Sequence, residues 1–257
     1  MNKVLERFSL NGKRALVTGS TQGIGLAIAK GLAESGASVI LNGRSAEKLS
    51  TAIHQLTAEG HSVEGAAFDV TDPTSVKAAI ASLNEGGKPI DILINNAGIH
   101  RRAPLLEMTL ADWQAVIDTN LTSAFLVSQA VAPGMIERNQ GKIVNVCSLM
   151  SDLARPTIAN YSAAKGGLRM LTRSMCAEWA KCNLQINGLA PGYIETEMTK
   201  ILVQDEKFDS WIRGRTPSGR WGSVEDLVGA TIFLSSPAAN YVNGHLLVVD
   251  GGLSVVV

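Results

Sequence analysis

Tyr161 and Lys165 are the residues whose types and spacing suggest chemistry most directly. Positions four apart on a helix share one face, so a phenol and an ammonium would be neighbours there. A free phenol has a pKa of about 10, too high for a base near neutrality, and a nearby ammonium lowers that pKa by stabilising the phenolate. Ser148 ends a predicted strand thirteen residues before Tyr161, and its hydroxyl can hydrogen-bond a substrate oxygen that gains or loses a proton. The three residues therefore predict acid/base chemistry on an alcohol or a carbonyl.

A glycine-rich segment near the N-terminus has the composition of a phosphate-binding loop. Residues 18–25 are TGSTQGIG, with the glycines spaced G-x-x-x-G-x-G between a predicted strand and a predicted helix. Glycine allows a tight turn and close approach of the backbone to a pyrophosphate, and the helix that follows offers free N–H groups. In this context the segment predicts dinucleotide binding. The predicted contacts are Gly19, Ser20, Gln22, Gly23, Ile24 and Gly25.

The end of the second predicted strand indicates which dinucleotide binds. An acid there binds the adenosine ribose of NAD, whereas an arginine accommodates the extra 2′-phosphate of NADP. The sequence has Arg44 at this point and no acid before Glu47, which favours NADP and leaves NAD possible. Gln22 tempers this preference, since a basic residue there would have added a second phosphate partner. Asp69 and Val70, after the third strand, are expected near the adenine.

Short apolar runs alternate with longer segments of helical periodicity along the whole chain. The predicted strands are 14–18, 38–41, 90–95, 142–146, 185–189 and 246–249, with a further strand before Asp69, and the predicted helices include 25–35, 45–59, 73–85 and 162–181. This alternation predicts an α/β fold, a Rossmann-like, doubly wound parallel sheet with helices on both faces. No linker or repeat divides the chain, so we expect one dinucleotide-binding and catalytic domain over residues 1–257.

Local signals mark several boundaries within this pattern. Asp72 before Pro73, and Thr109 three residues before Asp112, are typical helix starts. Proline interrupts helices, so the helix that begins near Thr109 is expected to end or kink at Pro133. The segment 196–220 is less regular and carries few core signals, which makes it a candidate mobile lid over the site.

Composition limits the classes of function and of location. Lys and Arg together number 23, as do Asp and Glu, and this zero net charge argues against a nucleic-acid or membrane-surface binder. No apolar run is long enough to suggest a membrane span, and the first thirteen residues lack the apolar core of a secretory signal. The three cysteines are expected to be reduced, as in a cytoplasmic protein, and the four histidines do not cluster into a metal site.

An ordered set of motifs resembles the short-chain dehydrogenase/reductase family over essentially the whole chain. The set comprises the glycine loop, Asn95-Asn96-Ala97-Gly98, Asn120, Ser148, Tyr161-x-x-x-Lys165, Pro191-Gly192 and Val249-Asp250-Gly251-Gly252. The resemblance implies that Tyr161 is the acid/base, that Lys165 tunes it and holds the nicotinamide ribose, that Ser148 positions the substrate, and that Asn120 organises a water relay. It also implies cofactor contacts from Asn96, Ala97, Gly98, Tyr161, Lys165, Pro191, Gly192 and Ile194. Similar enzymes are often homotetramers that bury the C-terminal region, and the apolar tail 253–257 is consistent with that.

Other segments resemble the gluconate-oxidising members of this family, including 98–104 (GIHRRAP), 153–156 (LARP), 196–199 (TEMT) and 219–222 (GRWG). The resemblance implies interconversion of D-gluconate and 5-keto-D-gluconate. His100 is a departure, because glutamine or an aliphatic residue is more usual there. Arg101, Arg102 and Arg155 should border the cleft, and Arg102 and Arg155 are the leading candidates to pair with a substrate carboxylate.

Two alternatives remain open from the sequence. The same chemistry could act on another carbonyl, as in a 3-oxoacyl reductase or another polyol dehydrogenase, although no basic docking run for an acyl carrier is visible. The chain could instead be a non-catalytic, nucleotide-sensing Rossmann module that binds a protein partner. The intact set of Ser148, Tyr161 and Lys165 counts against this second alternative.

Overall fold

The computed structural model describes residues 3–256, and one parallel sheet organises them. Seven strands lie in the order β3-β2-β1-β4-β5-β6-β7, and every neighbouring pair is parallel. The strands are β1 (Arg14–Val17), β2 (Ser38–Gly43), β3 (Val63–Ala67), β4 (Ile92–Asn95), β5 (Gly141–Val146), β6 (Leu184–Pro191) and β7 (Leu246–Val249). This topology confirms the predicted doubly wound, Rossmann-like sheet.

Alternate residues of the central strands are buried on opposite faces, and a helical layer covers each face. On one face, Val17 and Ile94 pack in a cluster with Ile28 and Leu32. On the other face, Leu16, Leu93 and Ile143 pack in a cluster with Val76, Val127 and Met175. Because side chains alternate along a strand, a strand buried on both faces is expected to be mostly apolar, as β1 is after Arg14 and β4 is before Asn95.

One α-helix separates each strand from the next, except that two lie between β4 and β5 and three lie between β6 and β7. They are α1 (Lys3–Glu6), α2 (Gly23–Glu34), α3 (Ala46–Ala58), α4 (Pro73–Asn84), α5 (Leu110–Ile117), α6 (Ser123–Glu137), α7 (Ala159–Trp179), α8 (Lys200–Val203), α9 (Glu206–Arg215) and α10 (Val228–Ser235). The Asp72 carboxylate accepts from the N–H of Thr74 at 2.9 Å, and the Thr109 hydroxyl accepts from the N–H of Asp112 at 3.0 Å. Both predicted helix starts are therefore confirmed.

The expectation for Pro133 is wrong, because α6 continues through it to Glu137. Pro133 lies on the exposed side of the helix, where water can reach the Gln129 carbonyl that loses its usual partner. The flanking Ala132 and Met135 are buried, so packing against the sheet holds the helix together. The departure from α-helical bonding lies earlier, in a π-helical turn over Asp118–Thr122 between α5 and α6.

The segment 196–220 is more regular than the sequence indicates, because it contains α8 and α9. Ile212 on α9 is fully buried and packs in a cluster with Leu149, Trp221 and Leu253. Asp205 begins α9, and its carboxylate accepts from the N–H groups of Lys207 and Phe208.

Replacing Pro133 by alanine should stabilise the fold. Alanine would restore an N–H donor to the Gln129 carbonyl, which outweighs the larger entropy of the unfolded chain, so we expect about 1–2 kcal/mol more free energy of unfolding. Pro73→Ala is the matched control, because Pro73 is at the first turn of α4, where no intrahelical bond is regained. Denaturant unfolding of the two variants measures the difference, and equal effects from both would contradict this account of Pro133.

Candidate active site

A cavity of about 560 Å³ opens at the carboxyl ends of the strands. The chain changes direction across the sheet beside β1, which has β2 on one side and β4 on the other. Loops that leave β1 and β4 must therefore diverge, and ligands of open α/β sheets bind in the crevice between such loops. Of the predicted site residues, the cavity is lined by Gly19, Gln22, Gly23, Ile24, Gly25, Arg44, Asp69, Val70, Asn96, Ala97, Gly98, Arg102, Ser148, Arg155, Tyr161, Lys165, Pro191, Gly192 and Ile194.

The glycine loop is held against the loop after β4 at two positions where only glycine fits. A Cβ atom on Gly19, whose φ is +61°, would lie 2.9 Å from the Ala97 Cα. A Cβ on Gly25 would lie 2.4 Å from the Asn96 side-chain nitrogen. Gln22 begins α2 without capping it through its side chain, so the first N–H groups of the helix stay available beside the cavity. This cradle, with the positive end of the helix dipole behind it, fits the pyrophosphate of a dinucleotide.

Ser20 lies behind the wall of the cavity. It is fully buried, its hydroxyl donates to the Val17 carbonyl at 2.7 Å, and the same oxygen accepts from the N–H of Asn42 at 3.0 Å. Both capacities of the hydroxyl are therefore used within the fold. The Ser20 hydroxyl is engaged within the fold in this way, and the cofactor contact predicted for Ser20 stays a prediction.

Charged side chains of both signs flank the adenosine end of the cavity. The Arg44 side chain is 73% exposed and its guanidinium lies 3.7 Å from the Asp69 carboxylate. Burial alone would raise the pKa of Asp69, but the N–H and hydroxyl of Thr71, together with Arg44, lower it. Lys48 on α3 also lines this end, and it is a second cation that the sequence analysis did not assign. Helical spacing four residues beyond Arg44 is the signal that could have indicated it.

Tyr161 and Lys165 lie on the first turns of α7, and Ser148 lies two residues beyond the end of β5, where it caps the 3-10 turn Leu149–Ser151. A hydrogen bond with Ser148 lowers the pKa of Tyr161, but burial of the phenol prevails and raises it to about 12. Lys165 is buried, and burial lowers the pKa of its ammonium to about 8. Its Nζ donates to the Val146 carbonyl at 2.6 Å and lies 5.6 Å from the centre of the Tyr161 ring.

The expected lowering of the Tyr161 pKa by Lys165 is therefore wrong for the protein alone. The ammonium bonds to a backbone carbonyl and sits over the ring rather than at the hydroxyl, so desolvation of the phenolate outweighs its attraction. The phenol stays protonated at neutral pH, which is the form that can donate a proton to a carbonyl oxygen. Two further N–H donors of Lys165 remain for a ribose hydroxyl.

Asn120 supports the site from the π-helical turn between α5 and α6. Its side-chain oxygen accepts from the N–H of Ile99 at 2.8 Å, and its side-chain nitrogen donates to the Ile99 carbonyl at 3.0 Å. This bidentate contact fixes the backbone beside Gly98 and His100. The side chain is buried and makes no part of the cavity lining, so a water relay through Asn120 remains a prediction.

The three candidate arginines have different surroundings. Arg101 lies 3.9 Å from the Asp112 carboxylate and points away from the cavity lining. Within residues 3–256, neither Arg102 nor Arg155 has an ion-pair partner, and both line the cavity. Partial burial and the nearby positive charge of Arg155 lower the pKa of Arg102, because each disfavours the charged guanidinium of Arg102.

Arg155 is held by aromatic residues that the sequence analysis did not assign. Its guanidinium donates to the Tyr193 hydroxyl at 3.2 Å and lies 4.7 Å above the centre of the Phe208 ring. Tyr193 in turn contacts Phe208 and Trp221 edge-on, with ring centres 5.6 and 5.7 Å apart. An arginine stacked on an aromatic face keeps its remaining N–H donors available for a planar anion.

The sequence profile of the short chain dehydrogenase family matches residues 13–207, which include the glycine loop, Ser148, Tyr161 and Lys165. The chain belongs to the short-chain dehydrogenase/reductase family. It is an oxidoreductase of that family.

Three relatives of this short-chain dehydrogenase/reductase cover nearly its whole length. Gluconate 5-dehydrogenase of Gluconobacter oxydans (strain 621H) is 56% identical over 248 residues, 96% of this chain and 97% of that protein. The 5-keto-D-gluconate 5-reductase of Escherichia coli (strain K12) is 51% identical over 250 residues, 97% of this chain and 98% of that protein. The crystal structure of a gluconate 5-dehydrogenase from Burkholderia cenocepacia J2315, in complex with NADP and tartrate, has a TM-score of 0.97 at 53% identity, covering 99% of this chain and all of that one.

Removing the Tyr161 hydroxyl should separate chemistry from binding. We expect Tyr161→Phe to lower kcat by about 10²–10⁴-fold, the usual contribution of a positioned acid/base group, while NADPH affinity stays near that of the wild type. Steady-state kinetics and NADPH fluorescence titration measure the two effects. Tyr241→Phe is the matched control, since that tyrosine is fully exposed and outside the cavity. A kcat like that of the wild type in Tyr161→Phe would contradict the assignment.

Proposed function

We propose that this short-chain dehydrogenase/reductase interconverts D-gluconate and 5-keto-D-gluconate, with NADP(H) preferred over NAD(H). The observation that carries the proposal is a pair of cations, Arg102 and Arg155, that line the same cavity as Tyr161 and Ser148. Neither guanidinium has a carboxylate partner among residues 3–256. Unpaired guanidinium groups in a cavity favour an anionic substrate. The names of relatives that are 51–56% identical point to the same sugar acid.

Different residues of the cavity have different roles in the reduction: some bind the substrate and others take part in proton transfer. Arg102 and Arg155 bind the carboxylate and thereby fix which carbon faces the cofactor. Ser148 donates a hydrogen bond to the carbonyl oxygen, and Tyr161 donates its proton to that oxygen as negative charge develops there. Bound NADPH supplies the hydride. Lys165 holds the cofactor ribose and stabilises the phenolate that the proton transfer leaves behind.

A panel of ketones and alcohols, followed by NADPH absorbance in both directions and with both cofactors, tests the substrate. We expect 5-keto-D-gluconate to have the highest kcat/KM. Preference for a 3-oxoacyl thioester or a neutral ketose would reassign the substrate within the family. Cofactor binding without turnover of any compound would favour a nucleotide-sensing role.

We also propose that the enzyme assembles as a homotetramer through its C-terminal region. Leu253 is buried within the subunit, whereas Val255 is 82% exposed and Val256 is partly exposed. Apolar side chains that are exposed at a chain end gain free energy when a second subunit covers them. Light scattering of the purified protein measures the assembly.

Substitution of Arg44 should reduce the preference for NADPH. A charge-assisted bond to a phosphate contributes roughly 1.5–3 kcal/mol, so Arg44→Ala should lower the ratio of kcat/KM for NADPH over NADH by about ten-fold or more. Arg173→Ala is the control, because Arg173 is exposed on α7 and outside the cavity. Equal losses with both cofactors would argue against a contact between Arg44 and the 2′-phosphate.

Substitution of the cavity arginines should discriminate between charged and neutral substrates. We expect Arg102→Ala or Arg155→Ala to raise KM for 5-keto-D-gluconate by about ten-fold or more, and to raise it much less for an uncharged ketohexose. Arg101→Ala is the matched control, because Arg101 contacts Asp112 outside the cavity. If both variants affect the two substrates alike, the carboxylate binds elsewhere or the substrate is not a sugar acid.

A further inference from the structure

His100 packs against the ring of the tyrosine that we assign as the acid/base. Its imidazole stacks on the Tyr161 ring with centres 3.9 Å apart and planes 26° from parallel. The bidentate contact between Asn120 and Ile99 fixes the preceding backbone, so the ring is held in this position. His100 therefore lies against the ring whose hydroxyl would exchange a proton with the substrate.

The polar atoms of this imidazole have no partner within the described chain. Nδ1 is buried and unbonded, and Nε2 also makes no hydrogen bond with residues 3–256. The ring is half-buried and lines the cavity, so Nε2 is the nitrogen available to a ligand. Once a bound ligand displaces water from the cavity, Nε2 would lose a hydrogen bond, and that loss is costly unless the ligand itself bonds to Nε2.

The imidazole is neutral at the pH where the enzyme would work. Burial lowers the pKa of His100 to about 4, and the cations Arg102, Lys165 and Arg155 lower it further. A neutral imidazole carries one N–H donor and one acceptor nitrogen, so it suits a hydroxyl group, which can accept or donate. It adds no charge to a site where cations already surround it.

We propose that His100 determines specificity by hydrogen-bonding, through Nε2, a substrate hydroxyl on a carbon next to the one that reacts. This inference rests on the proposed function, because it takes the substrate to be a polyhydroxy ketone. The reacting oxygen must contact the Tyr161 hydroxyl, and the neighbouring carbon then lies alongside the adjacent ring. The stacked imidazole thus meets the vicinal hydroxyl that a sugar acid has and a simple keto acid lacks.

Two ketones that differ only in hydroxyl groups test this role. 5-Keto-D-gluconate and 5-oxohexanoate both carry a carboxylate at one end and a ketone at the fifth carbon, but 5-oxohexanoate has no hydroxyls. The readout is selectivity, the kcat/KM for the first divided by that for the second. His100→Phe keeps a planar ring for stacking and removes both nitrogens, whereas His100→Gln keeps hydrogen-bonding capacity and removes the ring.

We expect His100→Phe to lower the selectivity about 3- to 10-fold, the range for loss of a neutral hydrogen bond, and His100→Gln to retain most of it. Thermal melting and NADPH titration verify that each variant folds, and His100→Leu replaces the phenylalanine variant if that one does not. Unchanged selectivity in the ring-preserving variant would overturn the proposal. Equal losses on both substrates would also overturn it, since they would show that the ring merely positions Tyr161.

Failure of the proposed function gives a different result. In that case the wild type does not reduce 5-keto-D-gluconate, and the same ratio is measured with D-fructose against 2-hexanone, which again differ in their hydroxyls. A wild-type enzyme that shows no preference for the hydroxylated member of either pair would overturn the role of His100.

Discussion

The interlock between the loops that follow β1 and β4 is the constraint on which the active site depends. The Thr18 hydroxyl accepts from the N–H groups of Asn96 and Ala97 at 2.9 and 3.1 Å, and the Asn96 side chain donates to the carbonyls of Thr18 and Gly19 at 3.0 Å each. These bonds join the loops after β1 and β4, at the position in the sheet where the chain continues to opposite sides of β1. The close contact leaves no room for a side chain on Gly19. They hold the cofactor loop in place and also fix the start of the chain that carries His100 and Arg102 into the cavity.

Desolvation gives the active site its electrostatic character. Burial raises the pKa of Tyr161, lowers that of Lys165 and lowers that of His100, so each group is shifted toward its neutral form. The guanidinium groups remain charged, because the pKa of arginine is too high for such surroundings to neutralise it. The protein alone thus presents a protonated phenol and a neutral imidazole beside fixed cations, an arrangement suited to binding an anion and protonating its carbonyl oxygen.

The parts of the fold that follow from the sequence are those whose local pattern and tertiary environment agree. The buried central strands contain runs of apolar residues, and the capped helices begin where a side chain satisfies a free N–H group. For β3 the sequence predicts only that a strand ends before Asp69. Its bounds, Val63–Ala67, could not be predicted, because it is an edge strand with mostly exposed residues and no apolar run. The helix through Pro133 could not be predicted, since packing across the sheet decides it. The Ser20 hydroxyl is bonded partly to Asn42 on the neighbouring strand, and His100 stacks on Tyr161, 61 residues along the chain, so motif spacing gives no information about these contacts.

The segment 196–220 shows why a functional wall can lack the usual signals of a core. Besides the buried Ile212, its contacts with the rest of the protein are aromatic and polar: Phe208 lies under Arg155 and against Tyr193, and the Trp221 indole N–H donates to Asp209 at 2.8 Å. Such contacts carry no helical periodicity of aliphatic residues, so hydrophobic pattern alone cannot detect them. They place α9 against the guanidinium of Arg155, which we propose binds the substrate carboxylate. Because Arg155 bridges the loop after β5 and this segment, binding of an anion to Arg155 would act on both walls of the cavity at once.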